Sequence, residues 1–546
     1  MARRIAERIV VEAELQAASA LHVGGLGETL DTDLPLARDG AGRLYIPGTS
    51  LAGALRAWWE QAFGTGGDTD RLWGPRHPVD DGRAAAVLVD DAVVLGGDAD
   101  TRVEVRDGVG IDRLRGAAAD RIKYDRAVLA RGTRIDLRLT VDVDAKLDTA
   151  AVESRLAHCL IALERGEIGL GAARTRGLGR LALAPGGTIT VTRRRLGTRA
   201  DTIAALRGGE AVAWETFRQA ARDDDRPRRH RLGIAVDWQP VGPVMVKASV
   251  DGTAVDMLPL TALDGDAVRL SLPGSALKGV LRTQSERIVR TVLGRDEADR
   301  VPVTGRPPAF LDQLKGMPLV EWLYGAAGER DDEATPGALR TGRGALSVAD
   351  LHGGPPIPPE QWLKVEAAGG LPELLGTLGP VGHGEGGSGG ADLGAWQVAH
   401  HVAIDRWTGG AADGFLYTVL EPFQVTWPPL DLTLDLDRLR PDDVLPALAL
   451  LLLTLDDLAQ GRMALGFGGN RGLGAVTVTA IRIDTADLAG LADEDGPAKA
   501  ALAALAEPLQ AGTRLADLPD EARQPLAAAW GAWIDERTSA AAGAAS

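Results

Sequence analysis

Two glycine-rich segments of this chain carry arginine in a pattern suited to phosphate binding. The sequence Gly169-Leu-Gly-Ala-Ala-Arg-Thr-Arg-Gly-Leu-Gly179 returns as Gly466-Phe-Gly-Gly-Asn-Arg-Gly-Leu-Gly474. Glycine lets backbone amides approach an anion closely, and a guanidinium can bind two phosphate oxygens at once. The spacing departs from Gly-x-x-x-x-Gly-Lys-Ser/Thr and so disfavours a nucleoside-triphosphatase loop, while a tight turn without a ligand stays the alternative interpretation. The candidate phosphate ligands are Arg174, Arg176, Arg180, Asn470 and Arg471.

A second anion-binding signal is a Pro-Gly turn before a predicted helix in each half. Tyr45-Ile-Pro-Gly-Thr49 corresponds to Ser271-Leu-Pro-Gly-Ser275. A helix start offers backbone N–H groups to an anion, and Thr49 or Ser50 is the predicted N-cap of the first helix. The alternative is an ordinary capped helix with solvated cations. The residues predicted to bind an anion here are Thr49, Arg56, Ser275, Lys278 and Arg282, with Ala52 at the position equivalent to Lys278.

Five landmarks recur in the same order, which indicates two homologous halves. Besides the glycine-rich loop and the Pro-Gly turn they are Leu72-Trp-Gly74 with Leu323-Tyr-Gly325, a segment ending at Asp90 with one ending at Asp350, and Ile111-Asp-Arg113 with Ile404-Asp-Arg406. The offset grows along the chain, from 226 between Pro47 and Pro273 to 295 between Gly177 and Gly472. The second half therefore carries insertions, and the largest is expected near 352–400 as an irregular or mobile loop.

Each half reads as strand, helix, strands, helix and strand. Alternating residues predict first strands at 9–15 and 231–238, and apolar periodicity predicts helices at 50–60, 148–165 and 441–460. This order predicts an α+β protein of two tandem ferredoxin-like units, a layout also used by RNA-recognition folds. The expected domains are 1–196 and 230–485, with a helical linker at 197–229 and an Ala-rich, acidic helical tail at 486–546.

Composition places the chain in the ordinary soluble class, at 45% hydrophobic and 25% charged residues. One cysteine, Cys159, excludes a disulfide framework and a Cys-based metal cluster and fits a reducing cytosol. No signal peptide is apparent, and the longest apolar run, 444–455, is too short to span a bilayer, so we expect a cytoplasmic protein without membrane contact. The net charge of −16 argues against generic nucleic-acid binding. Basic islands at 101–140 and 169–195 are nevertheless expected to line one groove.

Together these motifs resemble the RAMP (repeat-associated mysterious protein) superfamily. The chain is similar to the tandem backbone subunits of type III CRISPR effector complexes, over roughly 5–195 and 230–485. The resemblance implies that each unit binds CRISPR guide RNA through its palm and glycine-rich loop. The residues named above would then be RNA ligands, and the partners would be guide RNA, target single-stranded RNA and other subunits of the complex.

The same resemblance implies metal-dependent cleavage of target RNA by an aspartate in the loop after the first strand. By position this is Asp33, whereas Asp31 is interpreted as a solvated turn residue. The second copy offers Asp256, with Asp251 as a rival, and needs a short insertion because Asp256 lies seventeen residues before Pro273 against fourteen in the first copy. Such cleavage uses the 2′-hydroxyl as nucleophile and leaves a cyclic phosphate. Mg²⁺ or another divalent cation, held by Asp33, would neutralise the phosphate.

The resemblance also implies a hairpin thumb in each unit, at 101–140 and 398–425. Its apolar wedge would be Val109 or Ile111 in the first and Val402 or Trp407 in the second, with core packing as the alternative. The pair His400-His401 shows no metal-ligand spacing and is assigned to a strand edge.

Two other functions stay open at this point. The chain could be an RNA scaffold whose acidic sites are inactive. It could instead be a guide-processing endoribonuclease of the same superfamily, acting through a histidine, for which His22 is the candidate in the first unit.

Overall fold

The chain divides into two compact units in a computed structural model. The structure describes residues 4–25, 32–75, 84–95, 103–144, 146–223, 227, 230–249, 251–294, 310–314, 316–326, 342–378, 395–484, 500–505 and 517–544. The first unit comprises Met1–Arg106, Asp125–Arg174 and Leu178–Arg229, and the second comprises Asp107–Tyr124, Thr175–Gly177 and His230–Ser546.

Alternation of apolar and polar residues builds the central strand of the first unit. Ile9, Val11 and Leu15 are buried on one face, while Glu12 and Glu14 lie on the other. The strands up to residue 212 are β1 Ile5–Ala17, β2 Tyr45–Ile46, β3 Val87–Val89, β4 Ala92–Val93, β5 Val103–Ile111, β6 Ala118–Leu129, β7 Arg134–Asp144, β8 Ile168–Gly169, β9 Arg176–Gly177, β10 Arg180–Leu183, β11 Ile189–Arg195 and β12 Glu210–Val212. The helices are α1 Gly48–Phe63, α2 Gly67–Trp73, α3 Thr149–Glu164, α4 Arg199–Leu206 and α5 Trp214–Arg218.

The second unit repeats this order. Leu232, Ile234 and Val236 are buried along its first strand. The strands are β13 Arg231–Pro240, β14 Thr261–Asp264, β15 Ala267–Leu272, β16 Gly325–Ala326, β17 Gly342–Arg343, β18 Leu346–Ala349, β19 Leu351–Ile357, β20 Ala395–Ile404, β21 Ala411–Phe423, β22 Leu430–Asp435 and β23 Val476–Asp484. The helices are α6 Gly274–Val292, α7 Phe310–Gln313, α8 Pro318–Tyr324, α9 Pro359–Ala367, α10 Leu371–Leu378, α11 Val444–Ala459 and α12 Asp520–Ala544, and 3-10 turns lie at Leu436–Arg438, Pro441–Asp443 and Gly469–Arg471.

The two main sheets have the same antiparallel strand order. In the first unit β3 pairs with β7, β7 with β1, and β1 with β10 and β11 on its other edge. In the second unit β18, β22, β13 and β23 follow in the same order. One long helix follows the first strand and another precedes the last, and their apolar stripes cover the cores. The α+β class predicted from the sequence is confirmed.

Both predicted hairpins are present, as β5 with β6 and β20 with β21. The aspartate of each Ile-Asp-Arg landmark shapes the tip: Asp112 Oδ1 accepts hydrogen bonds from two following amides, and Asp405 Oδ1 does the same. The alternative interpretation, that the wedge candidates pack in a core, is wrong, because these side chains are exposed on the hairpins. The exposed fractions are 45% for Val109, 42% for Ile111, 45% for Val402 and 96% for Trp407.

Three segments predicted as a linker, a tail and an irregular loop belong to the two units. The predicted linker at 197–229 contributes α4, β12 and α5 to the first unit, where Phe217 is buried. The tail helix α12 packs against α11 and buries Leu526 and Trp533 in the second core. The expected irregular loop at 352–400 instead forms β19, α9, α10 and the start of β20, while its glycine-rich part at 379–394 lies outside the described residues. The three corrections have the same physical cause, because apolar residues of these segments pack into the core of a unit.

The prediction of one basic groove is wrong for the first unit. Arg138 on β7 lies 3.6 Å from the carboxylate of Glu12, on the face of the sheet away from the core. Arg193 on β11 pairs in register with Ile9, on the opposite face, and lies 2.7 Å from the carboxylate of Glu153 on α3. Carboxylates therefore compensate these arginines on both faces of the sheet. Across the part of the chain that the structure describes, no helix is long and apolar enough to cross a membrane.

If α12 belongs to the second core, Trp533→Ala should destabilise the protein by roughly 3–5 kcal/mol, because it leaves a cavity beside α11. Trp407→Ala is the matched control: it removes the same side chain from an exposed hairpin tip and should change stability by less than about 0.5 kcal/mol. Denaturant unfolding followed by circular dichroism measures both variants. Equal effects would show that the tail helix does not belong to this core.

Candidate RNA interface and acidic sites

Asp33 is held by the second strand of the first hairpin. Its backbone N–H donates to Asp125 Oδ1 at 2.7 Å, and the Asp125 N–H donates to Asp33 Oδ2 at 3.0 Å. Leu34 forms a parallel bridge with Arg126, and its carbonyl accepts from the Ala127 N–H at 3.0 Å. Each carboxylate uses one oxygen in these bonds, and the side chain of Asp33 is exposed. An exposed carboxylate, of Asp33, and a half-buried one, of Asp125, therefore lie close together.

Asp256 occupies the equivalent position in the second unit. Its N–H donates to Thr418 Oγ1 at 3.0 Å, and the Thr418 N–H donates to Asp256 Oδ2 at 2.7 Å. The Thr418 hydroxyl also donates to Oδ2, at 2.9 Å. Met257 forms the parallel bridge with Val419, as Leu34 does with Arg126. The Thr418 amide, followed by its hydroxyl, lowers the pKa of Asp256 because both bonds stabilise the charged form.

The register of the isolated β-bridges in the two halves shows that Asp256 corresponds to Asp33. Asp33 and Asp256 are 223 residues apart, and so are the bridges of Gly24 with Leu36 and of Lys247 with Pro259. The three-residue insertion therefore follows Asp256, in the longer hairpin formed by β14 and β15. The rival Asp251 forms an ion pair with Lys247 at 2.8 Å instead.

The first acidic site suits a divalent cation better than the second. Mg²⁺ commonly takes one or two protein carboxylates and completes its shell with water and phosphate oxygens, and Asp33 with Asp125 fits this pattern. The second site has threonine at the position of Asp125. Among the described residues no group of three or more His, Cys, Asp or Glu side chains is arranged to hold a metal ion. Any cation here would therefore depend on substrate phosphate and water.

The glycines of the two loops are explained by close backbone approach. Gly171 has φ +77°, and a Cβ there would lie 2.1 Å from the His22 carbonyl oxygen. Gly466 has φ +84°, and its Cβ would lie 2.2 Å from the Met245 carbonyl oxygen. Packing against the segment after the first strand thus requires glycine whether or not a ligand binds.

An arginine in each loop contacts a tyrosine on the hairpin. Arg176 Nη1 lies 3.5 Å from the Tyr124 hydroxyl, and Arg471 Nη1 donates to the Tyr417 hydroxyl. The Arg471 guanidinium also lies 5.5 Å from the centre of the Tyr417 ring and 5.3 Å from that of Phe467. Arg176 and Arg471 are exposed, as is the neighbouring Asn470. These side chains form an exposed cationic and aromatic surface in equivalent positions of the repeat.

The other two arginines of the first loop bond to backbone carbonyls. Arg174 Nη1 donates to the Gly169 carbonyl at 3.0 Å, so this side chain folds back onto its own loop. Arg180 Nε donates to the Gly166 carbonyl at 3.4 Å and the residue is exposed. Phosphate binding by these two residues stays a prediction.

The Pro-Gly turns do not present the helix amides as expected. The Gly48 N–H donates to Asp91 Oδ1, and the Gly274 N–H donates to Asp350 Oδ1, both at 2.7 Å. The predicted side-chain caps at Thr49 or Ser50 are wrong, because Pro47 is the N-cap and makes no side-chain bond. Asp91, and not Asp90, therefore corresponds to Asp350. A protein carboxylate occupies the anion position at each helix start, although Thr49 and Ser275 are exposed.

The helix arginines serve the packing of each unit. Arg56 Nε donates to Glu60 Oε1 at 2.8 Å and Nη1 to the Trp73 carbonyl at 3.4 Å. Arg282 Nε donates to Glu286 Oε1 at 2.7 Å and Nη1 to the Gly325 carbonyl at 2.8 Å. The bonds to the Trp73 and Gly325 carbonyls anchor the Leu-Trp-Gly and Leu-Tyr-Gly landmarks to the long helices. These contacts argue against Arg56 and Arg282 as direct phosphate ligands.

Lys278 is buried, at 4% exposure, and its Nζ donates to the Leu346 carbonyl at 2.6 Å. Burial, followed by the positive charge of nearby arginines, lowers the pKa of Lys278 to about 7. The prediction that Lys278 contacts RNA directly does not fit this position. The arginines concerned are Arg176, Arg282, Arg343 and Arg438, which with Lys278 form a cation cluster beside α6.

His22 is also buried, at 4% exposure, and its Nδ1 lies 2.7 Å from the Ala127 carbonyl oxygen. Burial lowers the pKa of His22, which favours the neutral ring. This packing role does not suit a histidine that must reach an RNA substrate.

Sequence reasoning missed the hairpin residues beside the two aspartates. Tyr124-Asp125 and Tyr417-Thr418 share the offset of 293 that relates Ile111 to Ile404. Extending that offset along the hairpin would have aligned the tyrosines. Their contact with the loop arginines is a long-range pairing that the offset alone does not indicate.

Comparison with known proteins agrees with the doubled architecture. The sequence model of the RAMP superfamily matches residues 14–182 and 268–477, one region in each half. A similar protein is the CRISPR system Cms endoribonuclease Csm3 of Methanocaldococcus jannaschii, at 40% identity over 60 residues. The match covers 10% of this chain and 24% of that protein, so the chain spans about a quarter of this relative's length.

Replacing Lys278 by methionine should stabilise the protein most at low pH. The unfolded lysine binds its proton up to its ordinary pKa of 10.5, whereas the folded one loses it near 7. The buried charge therefore destabilises the wild type fully below about pH 7, and this penalty fades as pH rises towards 10. We expect Lys278→Met to raise the thermal midpoint by roughly 2–4 °C or more at pH 6, with a smaller gain at pH 9.

The control is Lys364→Met, which removes an exposed lysine on α9. Thermal melts from pH 6 to pH 9 should show no pH-dependent difference between this variant and the wild type. A Lys278→Met gain that is constant across this range would contradict titration of the buried lysine.

Proposed function

The chain belongs to the RAMP superfamily, and on this basis we propose that it is a guide-RNA-binding backbone subunit of a type III CRISPR complex that cleaves target RNA. Its partners are CRISPR guide RNA, complementary single-stranded RNA and the other subunits of the complex. The name of the similar protein, a CRISPR-system endoribonuclease, supports this assignment. The strand order of each sheet supports a ferredoxin-like RNA-binding unit.

The observation that carries the proposal is the repeated placement of one exposed aspartate. Asp33 and Asp256 both sit on the loop after the first strand, bonded in the same register to the hairpin. In each repeat the hairpin residue just before this contact is a tyrosine that meets a loop arginine. A packing role alone does not require an exposed carboxylate at both positions.

The residues around each aspartate can contribute to cleavage in different ways. Exposed arginines bind the phosphates and aromatic rings support bases, which orients the strand. The hydrogen bonds from the hairpin hold each carboxylate in place before substrate arrives. Asp33 and Asp125 would hold Mg²⁺ or another divalent cation, which neutralises phosphate charge when bound. The 2′-hydroxyl then attacks the phosphorus in line with the departing 5′-oxygen.

The structure bears differently on the two alternative functions. An inactive scaffold would have the same fold, so only an activity assay separates it from a nuclease. A guide-processing endoribonuclease that acts through His22 is disfavoured, because this ring is buried and bonded to a backbone carbonyl.

Replacing both aspartates should abolish target cleavage. In the assembled complex with labelled complementary RNA and Mg²⁺, Asp33→Ala and Asp256→Ala should each remove one set of products. The double variant should fall at least roughly 100-fold below the wild type, the scale expected for loss of a reacting group. Chelation of the metal should reduce cleavage at the Asp33 site.

Asp251→Ala is the matched control for the second site, because it removes a neighbouring exposed carboxylate outside the repeated register. Its product pattern should equal that of the wild type. Persistent cleavage by the double variant would refute the site assignment, and no cleavage by the wild-type complex would favour the scaffold.

The loop arginines should bind RNA phosphate. Arg176→Ala and Arg471→Ala should each weaken guide-RNA binding and reduce the slope of log affinity against log salt by roughly 0.7 for each phosphate that the variant no longer neutralises. Filter binding or fluorescence anisotropy at several salt concentrations measures this slope. Arg121→Ala is the control: its side chain is 92% exposed on the first hairpin and should leave the slope unchanged. An unchanged slope in the two loop variants would contradict their role.

A further inference from the structure

The two acidic sites share a backbone frame but differ in chemistry. The first pairs Asp33 with a second carboxylate, Asp125. The second pairs Asp256 with Thr418, a neutral side chain whose hydroxyl and amide both bind Oδ2. The second site therefore has one carboxylate fewer to hold a metal ion or to accept a proton from RNA.

His400 offers a proton acceptor beside the second site. In the hairpin of β20 and β21, His400 pairs directly with Thr418. Side chains of directly opposed residues in an antiparallel pair lie on the same face, with Cβ atoms about 4.5–5.5 Å apart. The Thr418 side chain points to Asp256, since its hydroxyl binds that carboxylate. The imidazole of His400 is exposed and lies on that same face of the hairpin.

The first copy has no imidazole at the corresponding position. The hairpin offset of 293 relates His400 to Asp107, which forms an ion pair with Lys123 at 2.9 Å. The same offset relates His401 to Gly108, and a Cβ at Gly108 would meet the Tyr124 ring, just as His401 stacks on Tyr417. The alignment therefore holds across this stretch, and the histidine is specific to the second site.

We infer that His400 is a catalytic residue of the Asp256 site and accepts the proton of the attacking 2′-hydroxyl. This inference rests on the proposed RNA cleavage. The 2′-oxygen forms a bond to phosphorus, and the bond from phosphorus to the 5′-oxygen breaks with its electron pair on that oxygen. The 5′-oxygen takes a proton from water, and the resulting hydroxide takes the proton held by His400. The products are a 2′,3′-cyclic phosphate and a 5′-hydroxyl.

Charged groups lie on the loop beside this face and on the opposite face of the hairpin. Asp256 lies on the loop packed against the hairpin, where Lys247 favours its charged form and itself pairs with Asp251. On β21, Glu421 lies 3.4 Å from His401 Nε2. His401 stacks on Tyr417, with ring centroids 5.1 Å apart, so its side chain lies on the other face of β20. His401 is consequently a matched control for an imidazole on the same strand.

The test isolates the second site. In complexes carrying Asp33→Ala, so that only Asp256-dependent products form, His400→Gln should lower the cleavage rate at pH 7 at least roughly tenfold, given that general bases typically contribute about 100-fold or more. The parent rate should fall as pH decreases through the range where imidazole gains a proton, and His400→Gln should lose this step. Added imidazole should restore part of the activity of His400→Gly, and His401→Gln should keep the parent pH profile.

Two outcomes would overturn the inference and differ in meaning. An unchanged rate and pH profile in His400→Gln, beside Asp256-dependent cleavage in its parent, would refute the histidine's role alone. Absence of any Asp256-dependent product in the parent complex would refute the proposed activity of this site as well. Circular dichroism and guide-RNA affinity equal to the parent would show that the variant is folded and assembled.

Discussion

The rest of each unit depends on one short contact, the parallel bridge between the loop after the first strand and the second strand of the hairpin. In the first unit the Leu34 carbonyl accepts from the Ala127 N–H, and in the second the Met257 carbonyl accepts from the Leu420 N–H. These bonds satisfy loop backbone that would otherwise rely on water. They also fix the direction of the carboxylate one residue earlier, because that side chain bonds to the same hairpin strand.

Around this contact the two copies have diverged in ways that leave the backbone unchanged. Asp125 and Thr418 both satisfy the loop amide with a side-chain oxygen, so either residue supports the same geometry. Lys278 replaces an alanine on the long helix, and its buried amine is tolerated because a backbone carbonyl accepts its bond. Residues are added in the hairpin of β14 and β15, between Pro273 and Asp350, and in the segment that forms α9 and α10. The chain length thus changes outside the site, and the residue types change within it.

Much of the fold was predictable because local periodicity carries it. The central strands, the long helices and both hairpins follow from alternating or helical apolar patterns and from turn residues. The errors concern residues whose partners lie far away in sequence. Arg56 and Arg282 looked like phosphate ligands, yet each donates to a backbone carbonyl of the next landmark, 17 and 43 residues further along the chain. The Pro-Gly turn looked like an open anion site, yet Asp91 and Asp350 occupy it.

The sequence by itself determined the doubling of the fold, the order of its elements and the two aspartates worth testing, since repeats and periodic patterns are written in consecutive residues. Only the tertiary structure decided that Asp256 and not Asp251 corresponds to Asp33, and that Lys278 and His22 are buried. It alone brought Asp125 and Thr418 to the acidic sites and placed His400 opposite Thr418. The physical reason is that strand register joins residues more than 90 positions apart in sequence, and register depends on the packing of the whole sheet.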